Sequence, residues 1–587
     1  MSNKEFGQFF TPKIIADFMV DLISKPKNAK ILEPCAGEGV FLTALTEKGY
    51  TNIDAFEIDN KLINRSSVNI TYLDYLSVKS PQKYDVIIGN PPYVRWKNIP
   101  ACMKENIQKN LTICDNINGL ADLLYAFIYL SVDRLNKNGE LIFITPLFWT
   151  STLYSQFLRK FLAKNGNIDI FISFNEMRIF KNVSSSIIIF KFVKENDDRQ
   201  AKVIRIQSKN LLTLDHLNQV NKCIELLKKM PYISENEYEA YLHNQNKNGN
   251  PWIFLPPRIE PIIERIEKKC TENAPIIIEN SGKGKKYLLS SLLDRNDLEE
   301  YGIDMKLCNI VQYGKKKYYN INSTNLFQSD NINIKSIHRY IKLGDVAEIG
   351  NGLVSGLDEA FRIDNSDLLN DQENQYLVKV VKAKNLDRYV ISGYTNYLFL
   401  NNLDSEPNSE KLPRITKQLQ NYLDPLKKRY SYNKDIPYWH WVFLRNYELI
   451  KNNKEKIIVP CKERVDKRQY IRFALAIGDY LATQDTTVIV KNSFIKEDIR
   501  YLLAILNSKL TFQWIQYKGL VRGGVFEFSE KPLSIIPIRL IDWSNKEEIL
   551  IHDNILKEIN SIIHNGITSK KIENIEKNVS LLYNVNF

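Results

Sequence analysis

Hydrophobic and polar positions follow two alternating periods through the first two hundred residues. Ile14, Ile15, Phe18, Met19 and Leu22 recur at the spacing of one helix face. The Thr11-Pro12 pair before them predicts a helix start, with Thr11 as the N-cap and Pro12 in the first turn. Short β-branched and aromatic runs then predict strands at Ala29 to Glu33, Ile53 to Ile58, Ile70 to Leu73 and Asp85 to Gly89. Three more follow at Gly139 to Pro146, Ile168 to Phe174 and Ile187 to Val193. A helix carrying Phe41, Leu42 and Leu45 and a long apolar helix near Leu120 to Leu135 separate some of these strands. Strands alternating with helices predict an α/β fold with a largely parallel sheet.

The texture then changes. A charged stretch from Glu195 to Gln200 reads as a boundary, and helical patterns follow at Leu217 to Met230 and Ile259 to Lys269. From Ile341 the pattern turns to short β-rich segments at Leu343 to Ile349, Leu377 to Val381, Tyr397 to Leu400, Lys456 to Val459 and Thr486 to Val490. The spacing of Ile549, Ile551, Ile555, Ile559 and Ile562 predicts helices at the end. Four regions result: 1–195, a helical connector at 196–339, a mixed α+β region at 340–540, and terminal helices at 541–587.

Composition narrows the functional classes. Net charge is +12, from 80 Lys and Arg against 68 Asp and Glu, which favours an anionic partner, and most of the excess lies beyond residue 195. The seven cysteines are scattered, odd in number and never in a C-x-x-C pair, so they argue against a disulfide framework or zinc site and fit a cytoplasmic protein. No apolar run reaches membrane-spanning length, and the opening residues lack a signal-peptide pattern. No histidine precedes His216, so chemistry in the first two hundred residues does not use imidazole.

The chemistry concentrates at strand ends. Asn90-Pro91-Pro92-Tyr93 follows the Asp85 to Gly89 strand, and two prolines stop it because neither offers an N–H to a sheet. That leaves an amide, carbonyls and an aromatic ring at the carboxyl edge of a sheet, where open α/β sheets bind ligands. The side-chain oxygen of Asn90 and the carbonyl of Pro91 can accept hydrogen bonds from an exocyclic amine and localise its lone pair, while Tyr93 stacks on the base. Glu33-Pro34-Cys35-Ala36-Gly37-Glu38-Gly39 joins a strand to a helix, and its glycines let a ligand approach the backbone. The acids at this loop would repel a pyrophosphate and suit a positively charged cofactor such as S-adenosylmethionine. Glu57 ends the second strand where an acid typically meets ribose hydroxyls, and Asp74 ends the third.

Residues 1–195 resemble the amino-group DNA methyltransferases with an N-P-P-Y motif. More narrowly they resemble the TaqI-like N6-adenine enzymes of restriction–modification systems. Phe10-Thr11-Pro12, the glycine loop, Glu57, Asp74 and Asn90-Pro91-Pro92-Tyr93 carry the likeness in order and spacing. It implies a Rossmann-like domain with a seven-stranded, mostly parallel sheet whose last strand is antiparallel. It implies S-adenosyl-L-methionine contacts from Thr11, Glu33, Cys35, Gly37, Gly39, Glu57, Asp74 and Pro92. It implies methyl transfer to N6 of a flipped adenine by Asn90, Pro91 and Tyr93, with Phe180 on the opposite face of the base and no metal required.

Gly350-Asn351-Gly352-Leu353, Asp485-Thr486-Thr487 and Leu506-Asn507-Ser508-Lys509-Leu510 resemble the family's specificity domain. The implied partner is double-stranded DNA, with a cognate restriction endonuclease left open as a second. Arg464, Lys467, Arg468, Arg472, Arg522 and the Tyr438-Trp439-His440-Trp441 cluster are candidate DNA contacts. So are the cation–aromatic tracts at 282–287 and 314–319.

Rival readings are a methyltransferase acting on RNA or a glutamine amide, and a non-catalytic DNA specificity subunit. The basic downstream half argues against the amide, and the intact Asn90 to Tyr93 motif against the specificity subunit. A fused nuclease is also disfavoured, because the catalytic motifs begin near residue 7.

Overall fold

A computed structural model describes residues 10–109, 122–271 and 340–585 except 176, 181–185, 209, 246–248, 250, 433, 465–467, 469, 493–494, 523–524 and 544, together with short strands at 277–279, 286–288, 308–313 and 316–321. The chain divides into two compact units, one built on Met1–Glu260 and the other on most of Pro261–Phe587.

The first unit opens with helix α1 (Lys13–Asp21), followed by strand β1 (Ile31–Glu33), α2 (Val40–Glu47), β2 (Ile53–Glu57), β3 (Thr71–Tyr72) and β4 (Tyr84–Gly89). Helices α3 (Ala101–Lys109) and α4 (Leu123–Arg134) lead into β5 (Leu135–Pro146). Then come α5 (Gln156–Asn165), β6 (Asn167–Ser173), β7 (Ile187–Val193), β8 (Ala201–Ile206), α6 (Leu214–Leu226), β9 (Tyr232–Glu235) and β10 (Tyr238–His243). One sheet holds all ten strands in the order β3-β2-β1-β4-β5-β7-β6-β8-β10-β9. β1 runs parallel to β2 and β4, β4 parallel to β5, and β7 antiparallel to both β5 and β6.

Side-chain alternation makes this a three-layer structure. Val86, Ile88, Ile142 and Ile144 face a core shared with Ile15, Phe18 and Met19 of α1, Phe41 and Leu45 of α2, and Val220 of α6. Ile87, Leu141 and Phe143 face the opposite core, with Leu124 and Ile128 of α4 and Leu158 and Leu162 of α5. Burying each such side chain stabilises the fold by roughly 1.5–3 kcal/mol. α4 is buried nearly all round, so its side chains fill a layer rather than form an amphipathic face.

Two expectations change. Thr11 does not cap α1: Pro12 is the N-cap, with φ −60° and ψ 142°, and no side chain caps the helix. The extended ψ of Pro12 delays the helix to Lys13 and frees the Thr11 hydroxyl for another partner. Nor does the sheet end at residue 195. β8 pairs in parallel with β6, and β10 and β9 continue the sheet, because Ala201, Val203, Ile204 and Ile206 are buried and leave only Lys202 and Arg205 partly exposed. Past it, the Tyr241 hydroxyl donates to the Phe254 carbonyl at 2.6 Å, and the rings of Phe171 and Phe254 lie 4.4 Å apart.

The second unit is mixed α+β. A five-stranded sheet orders Ala347–Asn351, Thr486–Lys491, Glu455–Pro460, Ala474–Ile477 and Tyr389–Val390. A four-stranded sheet includes Leu377–Val381 and Thr395–Leu398. Leu343–Val346, expected as strand, forms one helical turn, because the Asp345 carboxylate accepts from the Lys342 N–H at 3.1 Å and caps it. The terminal segment forms two helices, Lys546–Asn565 and Ser569–Tyr583.

A fragment ending at residue 195 would leave β6 as an open edge with Phe171 and Ile172 uncovered. The Met1–Glu260 fragment should therefore unfold cooperatively and stay monomeric, whereas the 1–195 fragment should aggregate. Size-exclusion chromatography with thermal unfolding of both fragments checks this.

Candidate active site

The carboxyl ends of β1, β2, β3 and β4 deliver Glu33, Glu57, Asp74 and Asn90 to one edge of the sheet. Two adjoining clefts open there, with about 820 Å³ and 940 Å³ of open space. Cys35, Gly37 and Asn90 line both. Glu57, Asp74, Pro91 and Pro92 line the first, and Thr11, Glu33 and Glu38 the second.

Hydrogen bonds to several described residues hold Asn90. Its Nδ2 donates to Thr11 Oγ1 at 3.1 Å. The Tyr93 hydroxyl makes a short hydrogen bond to its Oδ1 and also reaches the Ile144 carbonyl at 2.7 Å. The Cys35 thiol donates to its backbone carbonyl at 3.2 Å. Burial, with the carboxylates of Glu33 and Glu57 nearby, pushes the Cys35 thiol well above its ordinary range, so it remains a donor. Burial likewise raises Tyr93 well above the ordinary phenol range.

The acids sit in distinct surroundings. Glu57 accepts the N–H of Gly37 at 2.7 Å on one oxygen, and those of Ile58 and Asp59 at 2.9 and 3.0 Å on the other. A carboxylate offers about four lone-pair sites, so roughly one remains for a ligand. Glu33 is 1% exposed, and its Oε2 has no hydrogen-bond partner among the described residues. Burial first, and the Glu57 charge second, raise its carboxyl well above the usual range. Asp74 caps a short turn by accepting the Leu76 N–H at 3.0 Å.

Gly39 plays a backbone role. It caps α2 at φ +86°, and a Cβ there would sit 3.0 Å from Asn64 Oδ1 and Ser66. Phe180 is not brought to the clefts: it is 8% exposed and packs with Ile15, Met19 and Ile179, while residues 181–185 after it lie outside the described residues.

Sequence patterning missed the apolar walls. Ile58, Leu62 and Leu73 line the first cleft, and Ile58 and Leu73 stay 38% and 53% exposed there. The available signal was an apolar residue directly beside each strand-end acid.

The Eco57I restriction-modification methylase family matches residues 33–180, and the N-6 DNA Methylase family matches residues 1–61. The chain is 38% identical over 566 residues to the type II methyltransferase M.HindII of Haemophilus influenzae, covering 95% of this chain and 94% of that protein.

The chain belongs to the type II methyltransferases.

M.HincII of Haemophilus influenzae is 36% identical over 564 residues, with 95% and 94% covered. The fold also resembles that of MmeI, a type IIL restriction–modification enzyme solved in complex with DNA, with a TM-score of 0.53, 11% identity, and 98% of this chain and 73% of that chain covered. The protein is thus a DNA methyltransferase of the restriction–modification type. Among the described residues no helix is long and apolar enough to cross a membrane, and no three His, Cys, Asp or Glu side chains are grouped to hold a metal.

In the second unit of this methyltransferase, several candidate DNA contacts serve the fold. Arg468 and Arg472 both bind Glu463, a buried carboxylate, and Arg472 also donates to the carbonyls of Ala383 and Leu386. Trp441 is 1% exposed and donates to the Leu398 carbonyl, and Trp439 donates to that of Leu403. Arg464 is exposed. Lys467, the side chain of Arg522, and residues 282–285 and 314–315 of the two tracts lie outside the described residues.

Asp122 sits behind the motif, capping α4 by accepting the Leu124 N–H at 3.1 Å. Burial pushes its carboxyl up to about 6 against the opposing pull of the Leu124 and Val94 N–H groups and Arg95. A raised folded value means its stabilising contribution is full below the unfolded value of 3.8 and is lost as pH rises through about 6. Asp122→Asn keeps the cap acceptor and removes the titration. It should stabilise the protein by roughly 1–3 kcal/mol at pH 8 and little at pH 4. Denaturant unfolding at the two pH values checks this.

Proposed function

We propose that this methyltransferase transfers a methyl group from S-adenosyl-L-methionine to N6 of an adenine extruded from double-stranded DNA, at a specific site, as the modification enzyme of a restriction–modification system. The observation that carries the reading is the placement of Asn90: a rigidly held amide at a sheet edge, beside the Pro91 carbonyl and next to a cleft lined by acids. The target base has to leave the duplex, because N6 is otherwise paired.

In the proposed step Asn90 Oδ1 and the Pro91 carbonyl accept the two N6 hydrogens and localise the amine lone pair. The Tyr93 proton can turn to the Ile144 carbonyl at 2.7 Å, which leaves Oδ1 a lone pair for the amine. Tyr93 offers one stacking face, and Phe180 serves as the other only by leaving its buried position. The cofactor, when bound, supplies an electrophilic methyl on a sulfonium whose charge is lost on transfer.

The second cleft fits a cationic group, since Glu33 presents an unpartnered buried oxygen there. The remaining lone pair of Glu57 suits a ribose hydroxyl, Asp74 an adenine amine, and Ile58 and Leu73 a flat ring. The region 340–540 is proposed to select the DNA site, and a cognate endonuclease is the expected second component of the system.

Sequencing of DNA from expressing cells should show N6-methyladenine at one recognition site. Asn90→Ala should slow single-turnover methylation by roughly 10²–10³-fold while 2-aminopurine at the target position still brightens on extrusion. A near-wild-type rate would return Asn90 to a structural turn.

Cofactor binding should also release protons. Burial and the Glu57 charge raise the Glu33 carboxyl, and a bound cation would lower it again, so up to about one proton should leave per cofactor at a pH where that carboxyl is protonated in the free protein. Calorimetry in buffers of different ionisation enthalpy reads that number, and Glu33→Gln should abolish the release.

A further inference from the structure

We propose that the loop following the short helix Leu423–Lys428 is a contact surface for the DNA backbone, where Lys427, Lys428 and Lys434 meet phosphates and Tyr430 lies against the sugar–phosphate chain. This rests on the DNA reading given above, and adds to it a surface that positions the duplex without reading bases. The loop lies wholly within the second unit.

Its cations are free. Lys427, Lys428 and Lys434 are exposed, and their side chains make no hydrogen bond or ion pair among the described residues. They differ in this from Arg468 and Arg472, which neutralise buried Glu463. An exposed aromatic stack sits among them. Tyr430 is 67% exposed and Tyr432 38%. Their rings lie 4.8 Å apart, and Tyr432 stacks in turn on Phe443, at 4.8 Å and 28° between the ring planes. Tyr432 holds φ +57°, a backbone conformation that L side chains rarely adopt. Unpaired cations interleaved with exposed rings suit a nucleic-acid backbone: the cations displace its counterions, and the rings cover its apolar faces.

The loop is also braced. Arg429 donates to the carbonyls of Ser355 at 2.9 Å and Pro437 at 3.2 Å, and also to that of His440. The Lys434 N–H donates to the Ser431 carbonyl at 3.2 Å, and the Ser431 hydroxyl to the Lys434 carbonyl at 2.8 Å. Under the stack, Phe443 and Val354 exchange main-chain hydrogen bonds at 3.0 and 3.2 Å. The lysines and Tyr430 therefore stand on a built support. The planar fork of Arg429, the group best suited to reading guanine, is spent on main-chain carbonyls, and the free cations are point charges suited to phosphate.

The test is equilibrium binding by the full-length enzyme to two duplexes, one carrying the methylated site and one lacking it, over a range of salt concentrations. Replacing Lys427, Lys428 and Lys434 together by Gln should weaken binding to both duplexes equally, by roughly 10-fold or more. It should also flatten the slope of log affinity against log salt by about 2–3. Tyr430→Ala should weaken both equally and leave the slope alone, because it removes no charge. Replacing Lys546, Lys570 and Lys577 of the terminal helices by Gln changes net charge by the same amount and should leave the slope nearly unchanged. An unchanged slope in the loop variant, or an equal change in the terminal-helix variant, would overturn the assignment. So would a loss confined to the duplex with the site, which would make the loop a reader of bases. A wild-type enzyme that binds neither duplex would instead bring down the DNA reading itself.

Discussion

Everything at the sheet edge depends on how Asn90 leaves β4. Ile87 and Ile88 are completely buried, so the strand has no freedom to shift. Pro91 and Pro92 then end its pairing without offering a donor. The residue between inherits the position of the core, and hydrogen bonds from opposite sides hold it: Thr11 from the start of the chain, Cys35 from the β1 turn, and Tyr93 with Ile144 from β5. A side chain ordered by its surroundings before the substrate arrives costs no further ordering when it does.

Electrostatics follow from the same crowding. The edge collects several carboxyl groups within a low-dielectric rim, and the protein treats them differently. Glu57 takes three backbone N–H groups and steadies the glycine turn, whereas Glu33 is buried with an oxygen that has no hydrogen-bond partner among the described residues. An orphaned buried acid is costly to keep. Here that acid lies beside an open cleft.

The second unit shows how charge is spent on folding. Buried Glu463 takes Arg468 and Arg472, and buried Arg388 pairs with Glu576. A net positive sequence therefore does not translate residue by residue into a DNA-binding surface. Cations that look free in the sequence neutralise buried acids, and the aromatic cluster around Trp441 supports the core through main-chain hydrogen bonds.

Local sequence determined the elements that build the candidate site. β-branched runs marked the strands, the double proline marked where β4 stops, and acids at strand ends marked the edge where the clefts open. All of these depend on neighbours within a few residues. A mostly parallel sheet with its last strand, β7, antiparallel was legible through resemblance to a family. Tertiary structure alone decided the rest. It joined β8 to β6 across a charged stretch that locally resembles a linker, and it took Thr11 from a helix cap to Asn90. It set backbone donors on both oxygens of Glu57 and sank Phe180 into the core. The physical reason is the same each time: a hydrogen bond or a buried face is completed by a partner tens of residues away, and no local pattern records which partner that is.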